Sequence, residues 1–396
     1  MSVVRSISTD ERRARLAVRH RLVPSRRTDD VPAIVDDLVG LHSSDPVTVY
    51  LSAAARMTSP SLTAVESALY DDDRTLLRHH AMRRTLWVFT PRVARLAHAS
   101  TSLMLLGPEE RRFIKAIEGT GATTDGMAWL DGARRDVLAA LESSGPTTAR
   151  HLGDAVPALR VPIAMAVGKS YAGTQSAHTR VLLLLGFEGA IVRARPVGSW
   201  INGQYRWATM TSWVPGGIDG AEPDAAAGEL VDLWLRAFGP ATTADVQWWT
   251  GWTLGTTRRA LVRAAASEVD LDGTTGWVAA DDVDSVVSDE PWVALLPGLD
   301  PTTMGWKGRE WYLDPAHAGR LFDRNGNGGP TVWVDGRIVG GWVQRKDGRV
   351  AYELLADVGA EANTAIERAA HNLERLLGDT RFTVRFPAPI QAELLR

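Results

Sequence analysis

The chain contains no cysteine, which excludes disulfides, thiolate-bound zinc and a thiol nucleophile. Lysine is almost as scarce: Lys115, Lys169, Lys307 and Lys346 are the full set. Long apolar runs are missing too. No stretch reaches the roughly 18 residues needed to span a bilayer, and Met1-Ser2-Val3-Val4-Arg5 lacks the apolar core of a signal peptide. A cytoplasmic location, with no membrane partner, is the expectation. The nine histidines are scattered, His79-His80 being the one adjacent pair, and no His-Glu-x-x-His occurs, so no metal is expected. Gly326-Asn327-Gly328-Gly329 precedes a strand and lacks a following Lys-Ser/Thr, so it reads as a flexible turn and not a phosphate loop. A Gly-x-Ser-x-Gly elbow is also absent.

What is present is an ordinary globular composition, with 45% hydrophobic and 23% charged residues. A length of 396 residues suggests about two to four domains. The net charge is -3, but charge is unevenly spread. Residues 1–30 carry eight arginines against Asp10, Glu11, Asp29 and Asp30, whereas Asp270 to Glu290 is strongly acidic. A basic segment on an acidic whole suits local binding to phosphate; a solvated arginine-rich helix fits the same pattern.

The N-terminal segment reads as helix, loop, helix. Ser8 and Glu11 form a capping-box pattern, Pro24–Asp30 is a loop, and Val31–His42 is the second helix, ended by Pro46. Further helices are expected at Ala53–Met57, Ala64–Tyr70 and Val93–Met104, with a strand at Met82–Thr90. An internal repeat follows. Gly145-Pro146-Thr147-Thr148-Ala149 is echoed by Gly239-Pro240-Ala241-Thr242-Thr243. Each copy follows an amphipathic helix and offers a threonine N-cap to the next, which is helix-turn-helix spacing. After the first copy, Ala190–Trp200 and Gln204–Trp213 read as a hairpin across Asn202-Gly203.

The last part reads as an antiparallel sheet: Trp292–Leu296, Glu310–Tyr312, Thr331–Val334, Arg337–Gln344 and Val350–Leu355. Asp335-Gly336 and Lys346-Asp347-Gly348 supply hairpin turns. A helix at Glu361–Leu377 and a strand at Arg381–Phe386 close it. The fold class is α+β: tandem winged-helix (helix-turn-helix) units with a C-terminal antiparallel β-rich module. The expected domains are 1–125, 126–225, 226–290 and 291–396.

The run Gly40-Leu41-His42-Ser43-Ser44-Asp45-Pro46 places imidazole, hydroxyl and carboxylate together at an expected helix end. It reads either as a capped helix terminus or as a site able to hold one water or one sugar. Serine-hydrolase chemistry fails, because side chains two apart on a helix do not face each other. Base excision fits better. A guanine alkylated at N7 is cationic and leaves as a neutral base, so its leaving needs no acid. The site then has to place a water at C1′ and stabilise an oxocarbenium-like sugar. His42 and Ser44 suit the first task and Asp45 the second. No amine nucleophile lies near the run, which favours hydrolysis without strand cleavage.

The chain resembles the winged-helix DNA glycosylases of the AlkZ/YcaQ family over nearly its whole length. The resemblance rests on Gly40–Pro46, Met82-Arg83-Arg84-Thr85-Leu86, Trp248-Trp249-Thr250-Gly251, Met304-Gly305-Trp306-Lys307-Gly308-Arg309 and Asp323-Arg324-Asn325-Gly326-Asn327. It implies excision of N7-alkylguanines from double-stranded DNA with neither a cofactor nor an obligate protein partner. Where the family has Gln-x-Gln or Gln-x-Asp, this chain has His42 and Ser44. That is similar to a His-x-Ser/Thr branch linked to self-resistance against pluramycin-type intercalating alkylators such as hedamycin. By the same resemblance, crosslink unhooking belongs to the Gln-containing branches.

For DNA contacts the candidates are Arg12, Arg13, Arg15, Arg26 and Arg27, the hairpin residues Asn202, Gln204, Tyr205 and Arg206, and Lys307 and Arg309. Each set reads equally as surface arginines, a structural wing tip or strand-flanking charge. Trp248 and Trp249 read as core. The other classes open to the chain are a non-catalytic winged-helix regulator and a protein that binds the genotoxin itself.

Overall fold

The computed structural model describes residues 5–165 and 173–396; Lys169 lies outside them. Ser8 caps the first helix, Thr9–Arg19, by accepting from the Glu11 amide. The Glu11 carboxylate turns to Arg5 and Arg15, so only half of the capping box forms. The second helix is Val31–Asp37, shorter than the sequence pattern suggests. It ends because Val39 and Gly40 adopt positive φ (50° and 106°). Their amides close onto Asp36 and Val35, a Schellman stop. At Gly40 only glycine fits, since a Cβ would stand 2.5 Å from the Phe89 ring.

The chain then enters a short strand, Leu41–His42, on the edge of a three-stranded sheet with Leu86–Phe89 and Leu77–His80. Pro46 does not end a helix. It opens Pro46–Ala54, with Asp45 as N-cap. Proline is disfavoured inside a helix but preorganised for its first turn, so the same residue signals either boundary. The expected strand at Met82–Thr90 is also split. Met82–Arg84 forms a tight turn and Leu86–Phe89 is the strand.

The internal repeat is real in three dimensions. Thr148 caps Ala149–Ala155 and Thr242 caps Thr243–Thr250, each after a long helix, Gly126–Ser144 and Pro223–Phe238. Each copy continues into a further helix, His178–Phe187 or Leu254–Arg263. A hairpin then follows, Ile191–Pro196 with Tyr205–Thr209 or Ser267–Leu271 with Thr274–Val278. Thr147–Thr148 pairs with the second strand of its hairpin, and Ala241 bridges Trp277 in the same way. The Asn202-Gly203 turn is wider than a two-residue hairpin: the loop closes between Val197 and Gln204.

The C-terminal sheet runs Val293–Leu296, Thr331–Val334, Arg337–Gln344, Val350–Leu354, antiparallel throughout. The helix Gly359–Leu377 buries Ile366 and Ala370 in the cluster that contains Val332 and Trp342. Two expected strands are absent. Glu310–Tyr312 is a turn closed on the Arg309 carbonyl. Arg381–Phe386 joins no sheet and bends at Arg385–Phe386, and two of its amides bond to side chains, Phe382 to Gln344 and Arg385 to Asp45. A short helix, Pro389–Leu394, follows it. One aromatic core containing Trp87, Trp234, Phe238, Trp249, Trp306 and Trp333 joins the N-terminal sheet, the second repeat and the C-terminal module. No helix among the described residues is long and apolar enough to cross a membrane.

Candidate functional site

His42 pairs with Trp87 across the sheet edge, and the two rings lie 5.0 Å apart. The imidazole is 4% exposed. Burial, reinforced by the positive charge of Arg83, lowers its pKa to about 3, so the ring is neutral near pH 7. The Ser44 amide donates to His42 Nδ1 at 3.4 Å, which leaves the ring proton on Nε2. Nε2 has no partner among the described residues. A neutral ring with a free N–H can hold a water by its oxygen without adding positive charge beside a cationic sugar.

Ser44 is partly exposed, next to that ring. Its carbonyl accepts from the Arg385 guanidinium at 2.8 Å. Ser43 points the other way and accepts from Arg78 at 2.9 Å; the Arg78 guanidinium is buried against Tyr70 and Tyr205. Asp45 divides its oxygens between the Val47 amide (3.1 Å) and the Arg385 amide (3.1 Å). Burial raises its pKa, against the opposing pull of those two amides and of the Arg385 charge. It caps a helix, holds the C-terminal segment, and opens onto a cleft of about 630 Å³. Ile201, Phe382, Arg345, Lys346, Arg381 and Arg385 line much of that cleft.

The structure thus brings His42, Ser44 and Asp45 together, but on a strand and turn instead of a helix end. Sequence reasoning missed Arg385, which reaches the motif from the far end of the chain. Its guanidinium also presses on Gly203 of the hairpin loop, where a Cβ would be 2.6 Å away. No local pattern marks such a contact. Arg78 was missed as well, since a buried arginine on a strand carries no signal of its own. Among the described residues no group of three histidines or carboxylates is placed to hold a metal.

The N-terminal arginines have divergent surroundings. Arg15 is fully buried and ion-paired with Glu11 and Asp282. Arg13 donates to the Trp311 carbonyl. Arg12 stacks on Trp311 at 4.3 Å, and burial lowers its pKa to about 10; with Lys307 it lines a second cleft of about 590 Å³. Arg26 is exposed and Arg27 half-buried. In the hairpin, Asn202 ties the loop by bonding Val197 and Gln204. Tyr205 is buried, Arg206 bonds the Pro196 carbonyl, and Gln204 is exposed. Lys307 is exposed, and Arg309 lies against Trp248 and Phe322. Trp249 is core, as expected, whereas Trp248 is only partly buried.

A family model described as DNA glycosylase AlkZ-like matches residues 35–376, a span that includes the whole His42 motif. The chain belongs to the AlkZ-like family. It is 28% identical over 204 residues to a protein of Streptomyces sahachiroi named interstrand DNA cross-link repair glycosylase. That match takes in 48% of this chain and spans about half the relative's length, 54%. The solved structure of Streptomyces sahachiroi DNA glycosylase AlkZ superposes with a TM-score of 0.71 at 22% identity, covering 96% of this chain and 99% of that one. The α+β fold described above is therefore the fold of this AlkZ-like structure.

Proposed function

We propose that the chain is a monofunctional DNA glycosylase. It hydrolyses the N-glycosidic bond of N7-alkylguanine in double-stranded DNA, prefers bulky intercalating natural-product adducts, and serves base excision repair and self-resistance. The observation that carries this reading is the neutral, buried His42, whose Nε2 is unclaimed beside Ser44. In a flipped-out nucleotide the cationic base departs as a neutral molecule. What remains is a cationic sugar and one water. His42 Nε2–H holds the water oxygen through one lone pair and leaves another to attack C1′, while the Ser44 hydroxyl accepts a hydrogen bond from that water and the proton lost on attack passes to solvent. Asp45 adds negative charge near the sugar. The chemistry calls for neither metal nor organic cofactor.

Membership of the family supports the DNA-repair assignment, and the two repeats, read as winged helices, supply elements of the kind that track duplex DNA. On this reading the domains are 1–125, 126–225, 226–290 and 291–396, and the enzyme acts in the cytoplasm at the nucleoid with DNA as its sole required partner. Arg12, Arg26, Arg27, Gln204, Lys307 and Arg309 are the candidates best placed to reach backbone. Arg13, Arg15, Asn202, Tyr205 and Arg206 act by holding the surfaces that do.

The test is base release from duplexes carrying a single N7-methylguanine or a single hedamycin-type N7 adduct, read as alkali-labile abasic sites. Release with a preference for the bulky adduct is the expected result. No release from either, together with tight sequence-specific binding to intact DNA, would replace this reading with that of a regulator.

A further inference from the structure

Three sequence segments that carry the family resemblance but have no role in the chemistry above meet at one indole, that of Trp248. Arg83, in the turn 81–85, sets its guanidinium 4.2 Å from the Trp248 ring. Arg309 lies 5.3 Å from the same ring and 4.3 Å from Phe322, the neighbour of Asp323. Gly251 ends the helix that bears Trp248 in a left-handed conformation. A Cβ there would stand 3.1 Å from Arg83 Cγ and 3.4 Å from its amide nitrogen, so a glycine permits the close approach of turn and helix.

Among the described residues the two arginines have no counter-charge. Arg84, the next residue after Arg83, is neutralised by Glu109. Arg83 and Arg309 pair with no carboxylate among the described residues, and the Nε of each is buried without a partner. Two like charges side by side and partly desolvated are unfavourable until an anion joins them. The backbone is strained at the same place, since Arg83 and Arg84 both adopt positive φ (54° and 62°). Turns of that shape ordinarily take Asn-Gly, and such strain is characteristic of functional positions.

We propose that Arg83 and Arg309, held face-on by Trp248, form a clamp for a DNA phosphodiester adjoining the nucleotide presented to His42. This rests on the glycosylase reading and deepens it. Guanidinium forks match phosphate oxygens in a bidentate geometry, and the indole face keeps the fork planar and in place. Position supplies the link to chemistry. The Arg83 turn joins Leu77–His80 to Leu86–Phe89, and Trp87 of the latter pairs with His42, so an unpaired Arg83 would oppose a cationic sugar there. A bound phosphodiester cancels one of the two positive charges and so weakens that opposition. The clamp therefore couples DNA binding to stabilisation of the reacting centre.

The test uses the full-length protein with two readouts. The first is anisotropy binding, over a range of salt, to a duplex bearing a tetrahydrofuran abasic analogue, which needs no excision. The second is single-turnover release of N7-methylguanine at saturating enzyme. Arg83→Gln and Arg309→Gln should each weaken binding about tenfold and lower the log–log salt slope by about one. Arg83→Gln should also slow release at saturation, and Arg83→Lys should regain part of the affinity by restoring the charge. Arg92→Gln, at an exposed pair with Glu229, should leave both readouts unchanged. Wild-type affinity and salt slope in both glutamine variants would overturn the clamp, and would leave the glycosylase reading intact if the wild type releases base. A wild type that releases base from neither the N7-methyl nor the hedamycin-type duplex would overturn the glycosylase reading, while the binding arm would still decide whether the arginines hold phosphate. Thermal melts identify any variant that fails to fold; because Arg83 and Arg309 lie on separate segments, each substitution tests the clamp independently.

Discussion

His42 sits where an imidazole is ordinarily unsuited to proton chemistry, because burial and a nearby guanidinium hold its pKa near 3. That is an asset when the transition state is cationic and the base leaves without help. His42→Ala should lower base release by about 10²–10⁴-fold while affinity for undamaged duplex stays within about twofold. Equal loss of both would make His42 a binding or folding residue, and full activity in a folded variant would remove it from the mechanism. The same burial predicts a flat pH profile for the chemical step between pH 5 and 8, since the ring does not titrate there. A single-turnover profile with an inflection near 6.5 would mean that His42 acts as a protonated or exposed ring.

The motif owes its geometry to the breaks between elements more than to the elements themselves. Gly40 carries both a φ of 106° and a close approach to Phe89. Gly40→Ala should therefore destabilise by more than about 2 kcal/mol through backbone strain and the clash with Phe89, read as a lowered melting temperature and slower base release together. Unchanged stability would mean that the sheet edge tolerates a shift of the Leu41–His42 strand. Asp45→Ala removes an N-cap, a loss worth about 1 kcal/mol, and also orphans the Arg385 amide. It should lower the melting temperature by a measurable step and release the C-terminal segment to limited proteolysis.

These breaks also mark the limit of what the sequence discloses. Arg337–Gln344 and Val350–Leu355 were legible because Asp335-Gly336 and Lys346-Asp347-Gly348 fix their turns locally. The threonine caps at Thr148 and Thr242 were legible for the same reason. The strand Leu41–His42 was not, since two residues paired with a segment more than forty positions away leave no periodicity. Pro46 misled because its stereochemistry suits a helix start as well as it disfavours a continuing helix. The residues of the candidate site were thus readable by type and spacing, whereas Arg385 and the convergence on Trp248 depend on tertiary contacts that no local pattern encodes.

Across the whole molecule, distant parts of the chain are joined by polar groups buried at the core as well as by the tryptophan cluster. Arg56 and Asp300 form a fully buried ion pair, joined by Ser52, Thr302 and His20, which ties the N-terminal helices to the loop leading out of the C-terminal sheet. His20 is pushed down to about 3, first by burial and then by Arg56. Burial likewise pushes His79 and His80 well below the usual histidine range. With His42, four imidazoles are neutral in the folded state but regain a pKa near 6.5 on unfolding. Below that value the unfolded chain binds protons that the folded chain refuses, so stability falls as pH drops. Each such group that stays neutral in the fold therefore destabilises it further as the pH falls below 6.5. Asp300, held low by Arg56 despite burial, adds a loss of the same sign at lower pH. Asp45, Asp37 and Glu188, whose pKa values are raised, offset part of the fall. The melting temperature should therefore drop steeply between pH 7 and pH 5, with net proton uptake on unfolding measurable by calorimetry in buffers of different ionisation enthalpy. A melting temperature that holds constant over that window would show that these histidines are charged in the native protein, and would remove the neutral imidazole on which the water-positioning role of His42 depends.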